Sequence, residues 1–279
     1  MRRKLEFGGY AIFILFFILK YVDIPEDNPR SRAVPQPQQP AIVLPEDASL
    51  PRDIASTVEV KLERSVHNGV GTAFAVDGQG TYVTARHVVD GCASVYFVGG
   101  PGRLEPVASY ASERTRDFAV IQAKRGPQTH LALSSEMPER GSDGYMMGYP
   151  QGNPADVRAT VIGRTEMRST GRYRMREPVV AWVERERKPY FGGSLGGISG
   201  GPVFDEAGNI IGTVVAGAPR RGRVYTTHPK VFEETGLVQA SLEGYLPEFK
   251  QGIGRENYDA VGRNLRASRI IAQVYCKAR

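Results

Sequence analysis

Three residues of this chain have the types needed for nucleophilic hydrolysis. They are His87 in Thr84-Ala-Arg-His87-Val-Val, Asp117 in Arg116-Asp117-Phe-Ala-Val-Ile121, and Ser199 in Gly196-Gly-Ile-Ser199-Gly-Gly-Pro202. A serine hydroxyl is a weak nucleophile until a base takes its proton. A neutral imidazole suits that task, because its ordinary pKa lies near working pH. A buried carboxylate then fixes the imidazole tautomer and stabilises the imidazolium. In this reading Ser199 is the nucleophile, His87 the base and then the acid, and Asp117 the orienting group. The glycines around Ser199 let the backbone turn so that the Gly197 and Ser199 N–H groups face one point, where an oxyanion would form; such donors are worth about 3–4 kcal/mol each. Each residue also has a plain structural reading: a core histidine, an aspartate capping a turn, a serine in a tight loop. Their joint occurrence in this order favours the chemistry. Ser194 also has glycines nearby but no Gly-Gly-Pro after it, and His67, His130 and His228 lack the flanking pattern.

The segments that must position these residues read as strands. Val58, Val60 and Leu62 alternate with polar residues, and Gly69–Val76, Thr81–Thr84, Ala93–Val98 and Phe118–Ile121 follow at short spacing. A second set runs through Tyr145–Met147, Ala159–Gly163, Val179–Val183, Val203-Phe204, Ile210–Val215 and Arg223–Thr226. Many short strands with turn signals and no long helical pattern predict an all-β fold of two antiparallel barrels of the six-stranded type, residues 56–138 and 139–227. The 32 glycines fit such a fold. In the tail, residues 228–279, Val261, Leu265, Ile270 or Ile271 and Val274 recur at near-helical intervals with arginines between them, which predicts an amphipathic helix packed on the barrels. A basic helix lying on a membrane surface is the alternative.

The three motifs together, in the order His, Asp, Ser, resemble the trypsin/chymotrypsin-like serine peptidases, and most the bacterial Deg-type branch. The resemblance covers residues 56–227. It implies a serine endopeptidase acting through an acyl-enzyme on polypeptides. It also implies that Gly193 forms the base of the primary side-chain pocket, with Val214, Val215, Ala216 and Gly217 as an apolar wall. No acidic group stands at that base, so small or medium apolar side chains are expected there rather than Lys or Arg. Arg164, Arg168, Arg172, Arg174, Arg176, Arg220, Arg221 and Arg223 could favour acidic residues beyond that pocket, or could form a solvated basic face; the expected partners are polypeptides, unfolded or acidic. Digestive members of the family carry an aspartate just before the nucleophile; Ile198 stands there in this chain, so activation by a freed amino terminus is not expected. The loop before it, Tyr190–Gly197, is rich in glycine and expected to be mobile. No Gly-Leu-Gly-Phe-like loop heads a second module in the tail, so a peptide-capturing domain is not expected. A competing reading keeps the fold and drops the reaction, giving a catalytically silent protein that binds peptides or misfolded chains.

The 279 residues, 24% charged and 41% hydrophobic with a mean hydropathy of −0.31, suit a folded chain rather than a disordered one or a multi-span membrane protein. A net charge of +6 is a mild excess and does not argue for nucleic acid. At the N-terminus, Met1-Arg-Arg-Lys4 precedes an apolar run from Phe7 to Val22 broken by Lys20, with no small-residue cleavage site after it. We read residues 1–22 as an uncleaved signal-anchor, and the Pro-rich residues 23–55 as a stalk. The basic flank places the folded part outside the cytoplasm, in the periplasm if the cell is Gram-negative. Two cysteines exclude a disulfide-rich scaffold and a multi-cysteine zinc module. Neither a metal nor an organic cofactor is expected, and the oligomeric state is not legible. Outside the cytoplasm Cys92 and Cys276 could pair and staple the tail to the first barrel, or could remain two buried thiols.

Overall fold

The computed structural model describes residues 57–100, 102–218, 222–242 and 252–279. The expected anchor and stalk, residue 56, Arg220 and Arg221 lie outside the described residues. The strands are β1 (Thr57–Lys61), β2 (Gly69–Ala75), β3 (Thr81–Thr84), β4 (Ser94–Val98), β5 (Leu104–Pro106), β6 (Ser109–Ser112), β7 (Ala119–Gln122), β8 (Asp143–Gly148), β9 (Ala155–Thr170), β10 (Met175–Lys188), β11 (Pro202–Phe204), β12 (Ile210–Ala218), β13 (Arg223–Thr227) and β14 (Ile271–Lys277). Four helices accompany them: α1 (Arg86–Val89), α2 (Lys230–Glu234), α3 (Leu237–Leu242) and α4 (Tyr258–Ala267).

The second barrel follows the strand pattern of the sequence. Its order is β9-β10-β13-β12-β11-β8, and a β8–β9 pairing closes the ring. Alternating side chains fill it: Trp182, Val157, Val180, Ile198, Val203 and Val224 pack together, each fully buried. The Trp182 indole donates to Thr226 Oγ1 at 3.0 Å, so its one polar atom is satisfied inside the core.

β1 does not join the first barrel, where the sequence grouping placed it. It runs parallel to β9, with Thr57 opposite Glu166 and Lys61 opposite Thr170. The reason lies in the length of the β9–β10 hairpin, whose strands have 16 and 14 residues. β8 pairs with β9 only up to Thr160, and β13 with β10 only from Val179. The rest of the hairpin projects from the ring with a free edge, and β1 covers it.

The first barrel has the order β5-β4-β14-β2-β3-β7-β6. Its third member is the end of the chain. The expected helix ends at Ala267. Arg269 takes φ +62, a left-handed conformation that stops it, and the Arg269 carbonyl accepts the Tyr82 hydroxyl at 2.8 Å. The chain then enters β14, which inserts between β2 and β4. Ala272, Val274 and Cys276 point into the core with Ala73, Val95 and Phe97. Val274 therefore satisfies a period of two, although its spacing from Leu265 also suited a helix. Cys276 is bonded to Cys92 across 184 residues, which resolves the open choice between a bridge and two thiols. The end of the tail is thus an integral strand of the first barrel, and the expected helix is confined to Tyr258–Ala267 before it. Among the described residues no helix is long and apolar enough to cross a membrane.

Candidate active site

β3 delivers His87 and the turn before β7 delivers Asp117. β3 ends at Thr84, and α1 starts two residues later, with Val88 and Val89 buried against the first barrel. This packing leaves the imidazole at the surface, with its side chain 20% exposed and that of Asp117 3% exposed. Asp117 Oδ2 accepts from His87 Nδ1 at 2.6 Å, and Oδ1 accepts the His87 backbone N–H at 2.8 Å. The carboxylate thus holds both the ring and the chain that carries it. With Nδ1 as the donor, Nε2 of a neutral imidazole is left as an acceptor.

Ser199 enters from the second barrel, and the first barrel clamps its loop. Thr72 on β2 is the clamp. Its N–H donates to the Ser199 carbonyl at 2.8 Å, its hydroxyl donates to the Gly197 carbonyl at 2.8 Å, and that same oxygen accepts the Tyr149 N–H at 3.1 Å. Two glycines make this approach possible. Gly200 has φ +85, and a Cβ there would lie 2.1 Å from the Thr72 carbonyl oxygen. Gly197 has φ +99, and a Cβ there would lie 2.4 Å from the Tyr149 carbonyl oxygen. Ile198 is fully buried in the second-barrel core and pins the loop from below.

The direction of the loop amides follows from their carbonyls. The Gly196 carbonyl accepts the Gln151 N–H at 2.5 Å, and the Ile198 carbonyl accepts the Gly201 N–H at 2.8 Å. In a planar trans peptide the N–H points opposite to the C=O. The Gly197 and Ser199 N–H groups therefore point away from those contacts, and neither donates to a backbone or side-chain acceptor among the described residues. The intervening Ile198 N–H turns back to the Leu195 carbonyl at 3.0 Å. His87, Ser199, Gly196 and Gly197 line one cleft of about 310 Å³, together with Arg172 and residues 63 and 65–70. No hydrogen bond joins Ser199 Oγ to His87 among the described residues; an unliganded site commonly has such a gap, which tightens with substrate.

The glycine-rich loop is more firmly held than its sequence suggests. Gln151, itself at φ +53, donates through Nε2 to the Gly192 carbonyl at 2.7 Å and the Ser194 carbonyl at 3.0 Å. Arg187 Nη1 donates to the carbonyls of Phe191 and Gly193 at 2.9 and 3.0 Å, with its guanidinium stacked on the Phe191 ring. Neither residue was singled out by sequence; the only hint of Gln151 was the turn-like run Tyr149-Pro-Gln-Gly-Asn153. Ser194 is exposed, and its hydroxyl accepts the Gly196 N–H within the loop.

Gly193, at φ +83, is exposed beside Gln151. Val214 and Val215 turn their side chains into two different cores, so this strand offers a cleft only its Ala216–Gly217 face. Leu195 lies against Gly217, where a Cβ would sit 4.0 Å from the Leu195 Cβ. Of the arginines named from sequence, Arg172 lines the cleft and its Nη1 donates to the Asp90 carbonyl at 2.6 Å. On the projecting hairpin Arg168 pairs with Glu59 of β1, and Arg176 with Glu166 of β9. His130 is buried against the Ser241 carbonyl, while His67 bonds Ser65 at the rim of the cleft. No cluster of three or more metal-ligating side chains occurs among the described residues.

A protein of Sinorhizobium fredii, y4bJ, itself uncharacterised, is 27% identical over 175 residues; the match takes 62% of this chain and spans only about a quarter, 26%, of that relative. Among solved structures, an inactive form of Rv3671c from M. tuberculosis is 19% identical, covering 67% of this chain and 88% of that one at a TM-score of 0.49. The HtrA-type protease AlgW with a decapeptide is 21% identical, covering 62% and 51% at a TM-score of 0.45. The trypsin-like peptidase domain matches residues 71–212, which is half of the chain and takes in all three motifs from β2 to β12. The chain therefore belongs to the trypsin-like peptidase domain family.

Proposed function

We propose that this chain is a serine endopeptidase that hydrolyses polypeptides through an acyl-enzyme on Ser199. The observation that carries the reading is the shared cleft. A histidine fixed by a buried carboxylate and a serine flanked by two unengaged N–H groups open onto one space. In the reaction, His87 takes the Ser199 proton as Oγ attacks the scissile carbonyl. The Gly197 and Ser199 N–H groups stabilise the oxyanion, and His87 returns the proton to the leaving amine. Water then repeats the sequence to release the acid. Ile198 and Gln151 support a loop assembled by local packing, without a freed amino terminus. That pre-formed loop favours a working enzyme over a silent peptide binder. Small or medium apolar side chains are the proposed preference at the cleaved bond, with Gly193, Ala216 and Gly217 at the pocket.

We further place the folded part outside the cytoplasm, held by a membrane anchor at residues 1–22. The Cys92–Cys276 bond supports that compartment, because disulfides persist where the surroundings are oxidising. The test is turnover of an unfolded protein such as reduced, alkylated casein by the full chain. Native protein should cleave it and Ser199→Ala should lose about 10⁶-fold in kcat. Equal cleavage by both proteins, or none by the folded native chain, would overturn the reading.

A further inference from the structure

Asp117 is held by more than His87, and the additional contacts come from the other barrel. The projecting β9–β10 hairpin reaches across to the back of the first barrel with Tyr173 at its tip and Glu177 on β10. The Asp117 N–H donates to Glu177 Oε1 at 3.0 Å. The Tyr173 hydroxyl donates to Asp117 Oδ1 at 3.3 Å, a long bond that shares its acceptor with the His87 N–H. Tyr173 is itself fixed, because the Arg86 guanidinium lies over its ring at 3.9 Å and Arg86 Nη1 donates to the Arg114 carbonyl. Arg172, one residue earlier, ties the same tip to the C-terminal end of α1 through the Asp90 carbonyl.

Glu177 is an unusual group to find behind a strand. It is 3% exposed, and among the described residues it forms no ion pair. The nearby Arg116 is paired with Glu234. Burying a carboxyl without a cation is costly, so a packed apolar residue would be more stable there. Its position does give the Asp117 amide a buried acceptor. The strong bias of Tyr173 towards its protonated form, caused first by burial and then by the Asp117 charge, keeps its hydroxyl a donor.

We propose that Tyr173 and Glu177 are positioning residues for the hydrolytic site: the second barrel sets the rotamer of Asp117 through them, and Asp117 in turn sets His87. The proposal rests on the peptidase reading for its functional meaning, but its physical content is the state of the His87 ring. With Oδ1 held by the Tyr173 hydroxyl and the His87 N–H, the carboxylate has one free orientation, and Oδ2 faces Nδ1. With the Asp117 amide held by Glu177, the chain before β7 cannot roll. The Ser199 loop and the arm that aligns its base then belong to one barrel, while the base belongs to the other.

Two readouts test this in the full chain. The first is the low-field proton resonance of His87 Nδ1–H, which needs no turnover. The second is the division of any activity loss between kcat and KM. Tyr173→Phe keeps the ring under Arg86 and removes only the hydroxyl. It should leave the fold intact, broaden or shift the Nδ1–H resonance, and lower kcat about tenfold with KM unchanged. Glu177→Leu should do the same, and Glu177→Gln, which keeps an acceptor for the Asp117 amide, should recover most of the loss. If folded Tyr173→Phe and Glu177→Leu both show the native resonance, the proposal is overturned, whether or not the native protein cleaves peptides. An absence of cleavage by the native chain alongside a shifted resonance in the variants would overturn the peptidase reading alone.

Discussion

The second barrel is drawn from one continuous run, Asp143 to Thr227, and its strands return on themselves through the β8–β9 pairing. The first takes most of its strands from Gly69 to Gln122 but receives β14 from the end of the chain, between β2 and β4. One barrel can close from neighbouring hairpins. The other must wait for a segment that lies beyond the whole second barrel, and loop closure over that distance costs entropy before any contact repays it. The covalent bond lies where that difference is greatest: Cys276 is on the late strand and Cys92 follows α1, five residues after His87. The comparison extends to the chemistry. The less self-sufficient barrel carries His87 and Asp117, and the self-closed barrel carries Ser199 and sends Tyr173 and Glu177 across to steady them.

The largest effect that separates the barrels should come from the disulfide. Cys92→Ser with Cys276→Ser should lower stability by about 2–5 kcal/mol, since the bond closes a long loop in the unfolded chain. Hydrogen exchange should locate the loss. Amides of β14, β2 and β4 should lose protection first, while those of β9, β10 and β13 keep theirs. Equal loss in both barrels would show that they close as one unit.

An effect of similar size, but confined to a pH window, should mark the arm between them. Burial, aided by the Asp117 charge, pushes the Glu177 carboxyl up to about 8 from its ordinary value of 4.5. The folded chain therefore holds a proton on Glu177 that the unfolded chain releases. The stability this gives is fully present below about pH 4.5 and is lost as pH rises through about 8. The Asp117 N–H, and after it Arg116, oppose the shift, and Lys230, His228 and Glu234 line the adjoining cavity of about 150 Å³. Glu177→Gln removes the titration, so the native chain should lose roughly 3–4 kcal/mol relative to the variant between pH 5 and pH 8. Parallel stability curves for the two proteins in denaturant melts would contradict this.

Legibility in the sequence followed the same division. Strands of the second barrel showed as short apolar runs bounded by polar or glycine-containing turns, as in Val179–Val183 and Ile210–Val215. The candidate residues His87, Asp117 and Ser199 stood out because each sits in a short motif whose backbone must turn in a particular way. β14 did not stand out. Its apolar residues fit a period of two and a helical period equally well over so short a span, and only its partners β2 and β4 decide between them. The parallel docking of β1 was hidden for a similar reason, because the free edge it covers exists only once the β9–β10 hairpin projects. Gln151, Thr72, Tyr173 and Glu177 act across distances of 41 to 125 residues in their defining contacts, and no local pattern announces such partners. The glycines of the loop before Ser199 suggest mobility, whereas its contacts come from Gln151 and Arg187, which lie outside it.

The central claim is that Ser199 is an activated nucleophile in a cleft shared by both barrels. Its most direct measurement is phosphonylation of the full chain by a fluorophosphonate, with the adduct located by mass spectrometry. The account predicts one adduct, on Ser199, that forms in the native protein and is lost in His87→Ala. A folded native chain that takes no label, or takes it on Ser194 or elsewhere, would contradict it.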